Sequence, residues 1–232
     1  MIRNPDNTSC QPLRHPDNTN LHLHYDDTFE GLPVMIEKGP FIREYLSSLK
    51  ETIELAIAQY PRVLAFRADL RLPRGIDLPD YANTNQVISK FFESFRRKIQ
   101  YHQEKVRERN QYARDCKVRY VWSREVGQGG KQHYHVLILL NRDAYYTMGR
   151  LGSERANMIS RMEEAWAGAM GMSVNQVRGL VHIPESAEYR IDRYVRGGED
   201  ELPALFCRAS YLCKAATKSY RDRQRGFDTS RG

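Results

Sequence analysis

Three side chains near the middle of the chain, Glu125, His133 and His135, have the chemistry of a metal site. They lie within residues 117–141, where β-forming side chains flank a glycine-rich turn, a pattern that predicts a β-hairpin. With the turn centred near Gly129, Glu125 lies opposite His133, at a Cβ separation of about 5 Å. His135 follows on the same face of the strand. One carboxylate and two imidazoles on adjacent strands can share a divalent cation and leave positions open for water or a phosphate oxygen.

The His-x-His pattern has a second interpretation, since two histidines on a half-buried strand face are often simply hydrogen bonded. Glu125 at a paired position favours the metal interpretation. The chain contains another copy of the pattern, His22 and His24, in a segment rich in Asn and Asp. That copy has neither strand character nor a carboxylate across a turn, so we expect no metal role for it.

A second group of residues that could take part in catalysis lies near the end of the chain, where residues 203–220 predict a helix. Tyr211, Lys214 and Lys218 are spaced i, i+3 and i+7, which forms a stripe separate from the apolar face. A phenol has an ordinary pKa near 10, and an ammonium group one turn away can lower it and so activate the phenol as a nucleophile. The same stripe also arises by chance on a solvent-exposed face.

The charge of the chain points to a polyanionic partner. Its formal net charge is +7 with a pI near 9.2. Residues 90–119 hold ten basic and four acidic side chains, a net charge of +6, whereas residues 1–40 hold three basic and six acidic ones, a net charge of −3. Basic faces of this kind are as often solvated surface as nucleic-acid contacts. The candidate nucleic-acid-binding residues are Arg96, Arg97, Lys98, Arg119, Arg124, Lys131 and Arg208.

Composition and length narrow the class of protein. An apolar fraction of 41% in 232 residues supports one generous domain, or a domain with an arm. Residues 1–38 are rich in Asn, Asp, Pro and Thr and predict an arm with little regular structure, followed by a domain at 39–232. No apolar run approaches the roughly 20 residues that span a bilayer, no signal peptide is evident, and the four cysteines lack a pairing pattern. A cytoplasmic, membrane-independent protein with reduced thiols is expected.

The remaining periodicity predicts an α+β fold. Helices are expected at 41–58, 84–109, 153–170 and 203–220, and strands at 62–72 and 176–183 in addition to the hairpin. The second arm of the hairpin ends in a run of apolar residues, which is typical of a central strand covered on both faces. We therefore expect an antiparallel sheet of four or five strands, with the histidine strand at its centre and helices packed on it. His182, on the last strand, is expected to be a structural histidine.

The two motifs together resemble those of the HUH endonucleases, which include rolling-circle replication initiators, relaxases and related transposases. Histidine, a bulky residue and histidine stand at residues 133–135, and the tyrosine motif reads Tyr211-Leu212-Cys213-Lys214. Within this superfamily the chain is most similar to replication proteins of inovirus-type phages and related prophage elements. The run Arg-Ala-Ser-Tyr-Leu-Cys-Lys, the later Lys218 and the closing Gly-Phe-Asp-Thr-Ser-Arg carry this resemblance, which extends from about residue 60 to the C-terminus.

The resemblance implies an HUH/RRM-like sheet in a domain that nicks and joins single-stranded DNA through a 5′-phosphotyrosine intermediate. Tyr211 would be the nucleophile, assisted by Lys214 and Lys218, and the ligand set suits Mn²⁺ and admits Mg²⁺. Single-stranded or hairpin origin DNA would be the substrate. The chain contains no P-loop, so a host helicase would have to separate the strands and a host polymerase would extend the free 3′ end.

The chain departs from many such initiators, which carry a second tyrosine one helical turn from the first. Cys207 and Ala215 occupy those positions here, which favours a single-tyrosine mechanism unless Tyr194 or Tyr220 takes part. Three other functions stay open on the sequence alone. They are a non-catalytic sequence-specific DNA-binding regulator with the same fold, a metal-dependent hydrolytic nuclease without a covalent step, and an HUH-type transposase or relaxase.

Overall fold

The computed structural model describes residues 13–127, 132–150, 152–153, 156–194, 200–218, 220 and 224–230. Within these ranges the helices are α1 (Arg43–Gln59), α2 (Gln86–Arg109), α3 (Met158–Met170), α4 (Val174–Val177) and α5 (Leu202–Ser210). The strands are β1 (Arg14–His15), β2 (Asn18–His24), β3 (Thr28–Phe29), β4 (Leu32–Pro33), β5 (Phe41–Ile42), β6 (Arg62–Arg71), β7 (Arg119–Val126), β8 (Gln132–Asn141), β9 (Val181–His182), β10 (Glu188–Asp192) and β11 (Phe227–Thr229). No helix in the described ranges is both long and apolar enough to cross a membrane.

The main sheet confirms the α+β prediction. Its strands run in the order β10-β6-β8-β7-β11, β9 also pairs with β6, and all pairs are antiparallel. The histidine strand β8 lies between β6 and β7 and is therefore central, as predicted. The sheet has six strands rather than four or five, because β10 and β11 are absent from the sequence prediction. They span only five and three residues, which is too short to show a clear period.

The hairpin of β7 and β8 has the predicted register, with Glu125 directly opposite His133. Even-numbered apolar side chains of β8 pack into a core with α2 and α3, and the odd-numbered Leu137 and Leu139 pack into a second core with α1 and α5. Strand β8 is thus covered on both faces, and burial of its apolar side chains contributes about 1.5–3 kcal/mol for each of the larger ones. This burial holds the register, because a slip of one residue would exchange the two faces.

The structure corrects two predicted elements, the helix at 153–170 and the strand at 176–183. Helix α3 begins at Met158 instead of residue 153, because Asn157 forms a capping box in which its side chain accepts from the Ser160 amide at 3.0 Å. The strand predicted at 176–183 contains only β9. The preceding residues form the short helix α4, capped by Ser173, because Gln176 bonds back to the Ser173 amide.

The expectation of little regular structure in residues 1–38 is wrong for the described part, which begins at residue 13. Strand β2 pairs with β1 and β5, and the Glu44 carboxylate of α1 accepts from the His22 backbone amide at 3.0 Å and lies 2.7 Å from Nδ1 of its ring. Phe29 is buried against Phe206 of α5. A few anchoring apolar side chains therefore hold the segment on the second core, while its polar residues form the turns.

The helix predicted at 203–220 is corrected as well. Helix α5 ends at Ser210, and Tyr211–Cys213 form a single 3-10 turn. Beyond it, Lys214 forms an isolated β-bridge with Phe41, and the Ala215 amide donates to the Pro40 carbonyl at 2.8 Å. The chain leaves the helix here because its backbone groups bond to the N-terminal segment instead of continuing the helical ladder.

Candidate metal centre and its tyrosine

Glu125 and the two histidines converge at one end of the β7–β8 hairpin. Oε2 of Glu125 lies 3.7 Å from Nε2 of His133 and 3.4 Å from Nε2 of His135. Glu125 and His135 are buried, while His133 is partly exposed. The three residues each present a ligand atom within 4.8 Å of the others, so the group could hold a metal ion.

A third strand orients His135. Asp69 of β6 pairs directly with His135, and Nδ1 of the imidazole lies 2.5 Å from Oδ1 of Asp69. An ionised carboxylate can only accept, so Nδ1 donates, and in the neutral ring Nε2 then carries the lone pair. This Nε2 is buried and has no hydrogen-bond partner among the described residues, although it lies beside the Glu125 carboxylate. An unsatisfied imidazole nitrogen facing a carboxylate fits a metal ligand.

The electrostatics of the site keep both carboxylates ionised. Burial acts to raise the pKa of Glu125, but the adjacent imidazole of His135, together with Lys214, outweighs it and holds this pKa at about 2. Burial acts in the same way on Asp69, and His135 and Arg67 again hold the pKa at about 2. Burial and the nearby charge of His135 lower the pKa of His133, which favours the neutral ring that binds metals. For His135, burial lowers the pKa, but the two carboxylates raise it above the usual value.

The 3-10 turn after α5 brings Tyr211 to the same site. Its ring meets the ring of His135 edge to face, with centroids 5.1 Å apart. Nζ of Lys214 donates to the Tyr211 hydroxyl at 2.7 Å and lies 3.0 Å from Oε1 of Glu125, in an ion pair. A single ammonium group therefore links the phenol to the carboxylate of the candidate metal site.

Lys218, the third predicted member of the tyrosine group, is buried beside these residues. Its Nζ has no hydrogen-bond partner among the residues described. Burial lowers its pKa to about 8, against the opposing effect of the Glu125 charge. The structure thus brings together all six predicted catalytic and metal-binding side chains, although the tyrosine and its lysines reach the site from a turn and not from one helix.

Two residues of this site, Arg67 and Asp69, are absent from the sequence prediction. They lie on the face of β6 that starts with Val63 and Ala65, so this face changes from apolar to charged midway along the strand. Charged residues inside an otherwise buried strand are a signal that could have identified them. His182 also approaches the site, with Nδ1 at 3.5 Å from Oδ2 of Asp69.

The predicted nucleic-acid-binding residues do not form one surface. Arg119 and Arg124 are buried and donate to Gln59 and Gln132, so the expectation that they contact nucleic acid is not met in this structure. Lys131 lies outside the described residues. The other four are partly or fully exposed: Arg97 and Lys98 pair with Glu93 and Glu164, Arg96 stacks on Tyr120, and Arg208 donates to the Glu185 carbonyl.

Comparisons with known proteins place the whole site inside one family domain. The family described as "YagK/YfjJ C-terminal domain" matches residues 24–230. The uncharacterized protein YagK of Escherichia coli (strain K12) is 33% identical over 198 residues, which cover 83% of this chain and 94% of that protein. The uncharacterized protein YfjJ of the same strain is 27% identical over 203 residues, which cover 84% and 98%. No solved structure shows a significant match.

Proposed function

We propose that this chain, which belongs to the family of YagK/YfjJ C-terminal domains, cleaves and rejoins single-stranded DNA through Tyr211, as an initiator of rolling-circle replication. One observation carries the proposal. Nζ of Lys214 lies 2.7 Å from the Tyr211 hydroxyl and 3.0 Å from Oε1 of Glu125. A nucleophile, its activating cation and a group that could hold a metal are therefore in contact, which an HUH-type strand cleavage requires.

The tyrosine provides the nucleophile of the proposed reaction. Lys214 donates to the phenolic oxygen and offsets the negative charge that this oxygen gains as its proton leaves. As the phenolic oxygen bonds to phosphorus, the bond from phosphorus to the 3′ oxygen breaks, leaving a 5′-phosphotyrosine and a 3′ hydroxyl. The phenol loses one proton and the 3′ oxygen gains one, so protons balance. Attack by a 3′ hydroxyl on the phosphotyrosine reverses the step and joins strands.

The ligand residues prepare the site for a divalent cation. Glu125 is ionised, the low pKa of His133 favours its neutral form, and Asp69 turns Nε2 of His135 toward Glu125. A mixed imidazole and carboxylate set suits Mn²⁺ and admits Mg²⁺. When bound, such an ion supplies positive charge that positions the scissile phosphate and offsets charge in the transition state.

A single tyrosine suffices for the proposed reaction. Cys207 and Ala215 stand where a second tyrosine would be, and the other candidates lie in different surroundings. Tyr220 packs edge to face on His15, with ring centroids 5.0 Å apart, and the Tyr194 side chain is largely exposed. The proposed substrate is single-stranded or hairpin origin DNA, with strand separation and synthesis supplied by a host helicase and polymerase.

The test is covalent capture of DNA. Circular single-stranded DNA and a labelled pool of random oligonucleotides are incubated with the protein and Mn²⁺, then separated on a denaturing gel. We expect a protein–DNA adduct that disappears in Tyr211→Phe and in EDTA. Tyr146→Phe is the matched control, since it removes the same hydroxyl from an exposed tyrosine outside the site.

The other functions give different outcomes. Cleavage without an adduct would select a hydrolytic nuclease, and binding without cleavage would select a DNA-binding regulator. Sequencing the DNA attached to Tyr211 then separates a replication origin from a transfer origin or a transposon end, which would indicate a relaxase or a transposase.

A further inference from the structure

Arg67 is a buried cation beside the candidate nucleophile. It lies on β6 at the boundary between the second core and the metal centre, and only 5% of it is exposed. Its guanidinium carbon lies 5.3 Å from the centroid of the Tyr211 ring. Asp69, two residues further along the same face, bonds to His135, so Arg67 flanks both the phenol and the metal ligands.

The guanidinium group of Arg67 is poorly satisfied by the protein. It offers five N–H donors, yet its polar contacts among the described residues are a 3.5 Å hydrogen bond to the Arg208 carbonyl and a 3.6 Å approach to Oδ1 of Asp69. Its Nε is buried without a hydrogen-bond partner among the described residues. Oδ1 of Asp69 is already engaged by His135 at 2.5 Å. A buried charge with such weak partners is costly unless another group completes its hydrogen bonds.

Positive charge exceeds negative charge around the phenol. Three cationic side chains are buried there and two carboxylates oppose them, so the described part of the site has a surplus of one positive charge, to which a bound divalent cation would add. The cations are Arg67, Lys214 and Lys218, and the carboxylates are Asp69 and Glu125. An anionic ligand would balance this surplus.

We propose that Arg67 is a phosphate-binding residue that contacts non-bridging oxygens of the phosphodiester attacked by Tyr211, an inference that rests on the proposed function. A guanidinium group is planar and presents parallel donors that match two oxygens of a phosphate group. Bound in this way, Arg67 gains the hydrogen bonds that the protein does not supply. It also offsets charge that develops on the phosphate oxygens as Tyr211 attacks.

The first test detects the anion site directly, without DNA. Crystals of the EDTA-treated full chain are soaked in tungstate, a phosphate-like oxyanion with a strong anomalous signal. We expect a tungstate ion within hydrogen-bonding distance of the Arg67 guanidinium, lost in Arg67→Gln and retained in Arg62→Gln. Arg62 is the matched control, because it lies on the same strand, at the far end from the site. Absence of tungstate from wild-type Arg67, or its persistence in Arg67→Gln, would overturn the inference.

The second test uses the DNA that forms the adduct. We expect Arg67→Gln to slow the single-turnover rate of adduct formation by about 10²- to 10³-fold, as loss of one preorganised donor does. Arg67→Lys should recover only part of the rate, since an ammonium keeps the charge but loses the paired donors. A wild-type rate in Arg67→Gln would refute a role in the reaction, and Arg67→Lys answers the same question if Arg67→Gln does not fold. Persistence of the adduct in Tyr211→Phe would instead refute the proposed function, while the tungstate result would still decide the anion site.

Discussion

Asp69 and His135 face each other across strands β6 and β8, and their side chains meet at 2.5 Å between Oδ1 and Nδ1. This contact determines which imidazole nitrogen faces Glu125. Metal-binding histidines commonly donate their other ring nitrogen to a carboxylate in this way, which fixes the tautomer and orients the ring. The candidate cation site therefore depends on three strands, although its three candidate ligands lie on two of them.

Removing the Asp69 carboxylate should weaken metal binding. We expect Asp69→Ala to raise the Kd for Mn²⁺ by about 10- to 100-fold, because His135 loses its orienting acceptor. Isothermal titration calorimetry measures the change. Asp192→Asn, which alters an ion pair with Arg142 at the sheet edge, should bind Mn²⁺ as the wild type does. Equal affinities for Asp69→Ala and the wild type would show that Asp69 has no role in orienting the ligand.

Lys214 should separate catalysis from metal binding. In Lys214→Met the phenol loses the ammonium group that stabilises its anion, so adduct formation should fall by about 10²- to 10³-fold. Mn²⁺ binding should be retained, because the ion pair that competes for Glu125 is removed. Rapid-quench gels and calorimetry measure the two effects, with Lys90→Met on the outer face of α2 as control. Loss of both properties together would mean that Lys214 is only structural.

The buried ammonium group of Lys218 should lower the free energy of unfolding of the protein. Burial lowers its pKa from 10.5 to about 8, so the unfolded chain binds more protons between these values and stability should rise as pH increases from 8 to 10.5. Lys218→Met removes the cost of burying a charged ammonium group, so the variant should melt at a higher temperature than the wild type at pH 7. This difference in melting temperature should shrink by pH 10. Calorimetric melting of EDTA-treated protein tests this. A difference in melting temperature that does not change with pH would contradict the role of the Lys218 charge. The charged or titratable groups around Lys218 are Glu125, Cys213, Lys214 and Arg124.

The contact between Glu44 and His22 should hold the N-terminal segment on α1. Partial burial opposes ionisation of Glu44, but the hydrogen bonds from His22 lower its pKa below 4.5. The ionised Glu44 carboxylate therefore stabilises the folded protein above pH 4.5. This stabilisation is lost as the pH falls through the pKa that Glu44 has in the folded state. We expect lower protection of the amides of residues 18–24 from hydrogen exchange, relative to the intrinsic rate at the same pH, in Glu44→Gln at neutral pH and in the wild type in acid. Glu51→Gln, on an exposed position of the same helix, should not change the exchange.

A single-tyrosine reaction makes a simple prediction about the other tyrosines. Tyr194→Phe and Tyr220→Phe should form the adduct and rejoin strands at rates within about twofold of the wild type, in line with surface or structural roles. Strand-transfer assays with two oligonucleotides measure both steps. Rejoining that fails in either variant while cleavage persists would assign that tyrosine to a second transfer.

The local sequence pattern was sufficient to predict the hairpin. Alternating apolar and polar residues, together with a glycine-rich turn, determine the strand register over a short sequence separation. It also predicted α2 to within two residues, since its apolar side chains keep helical spacing over six turns. The same reasoning overextended the last helix. Helical periodicity continues past Ser210, but backbone bonds to Pro40 and Phe41 draw the chain away.

Residue types and local spacing thus determined the α+β class, the central histidine strand and the pairing of Glu125 with His133. Only the tertiary structure decided that Asp69 and Arg67 join the site, that Arg119 and Arg124 are buried, and that a 3-10 turn delivers Tyr211. The physical reason is sequence distance. Contacts between residues 66 or 76 positions apart, such as Asp69 with His135 or His135 with Tyr211, depend on how whole elements pack, and that packing is set by burial summed over the entire chain.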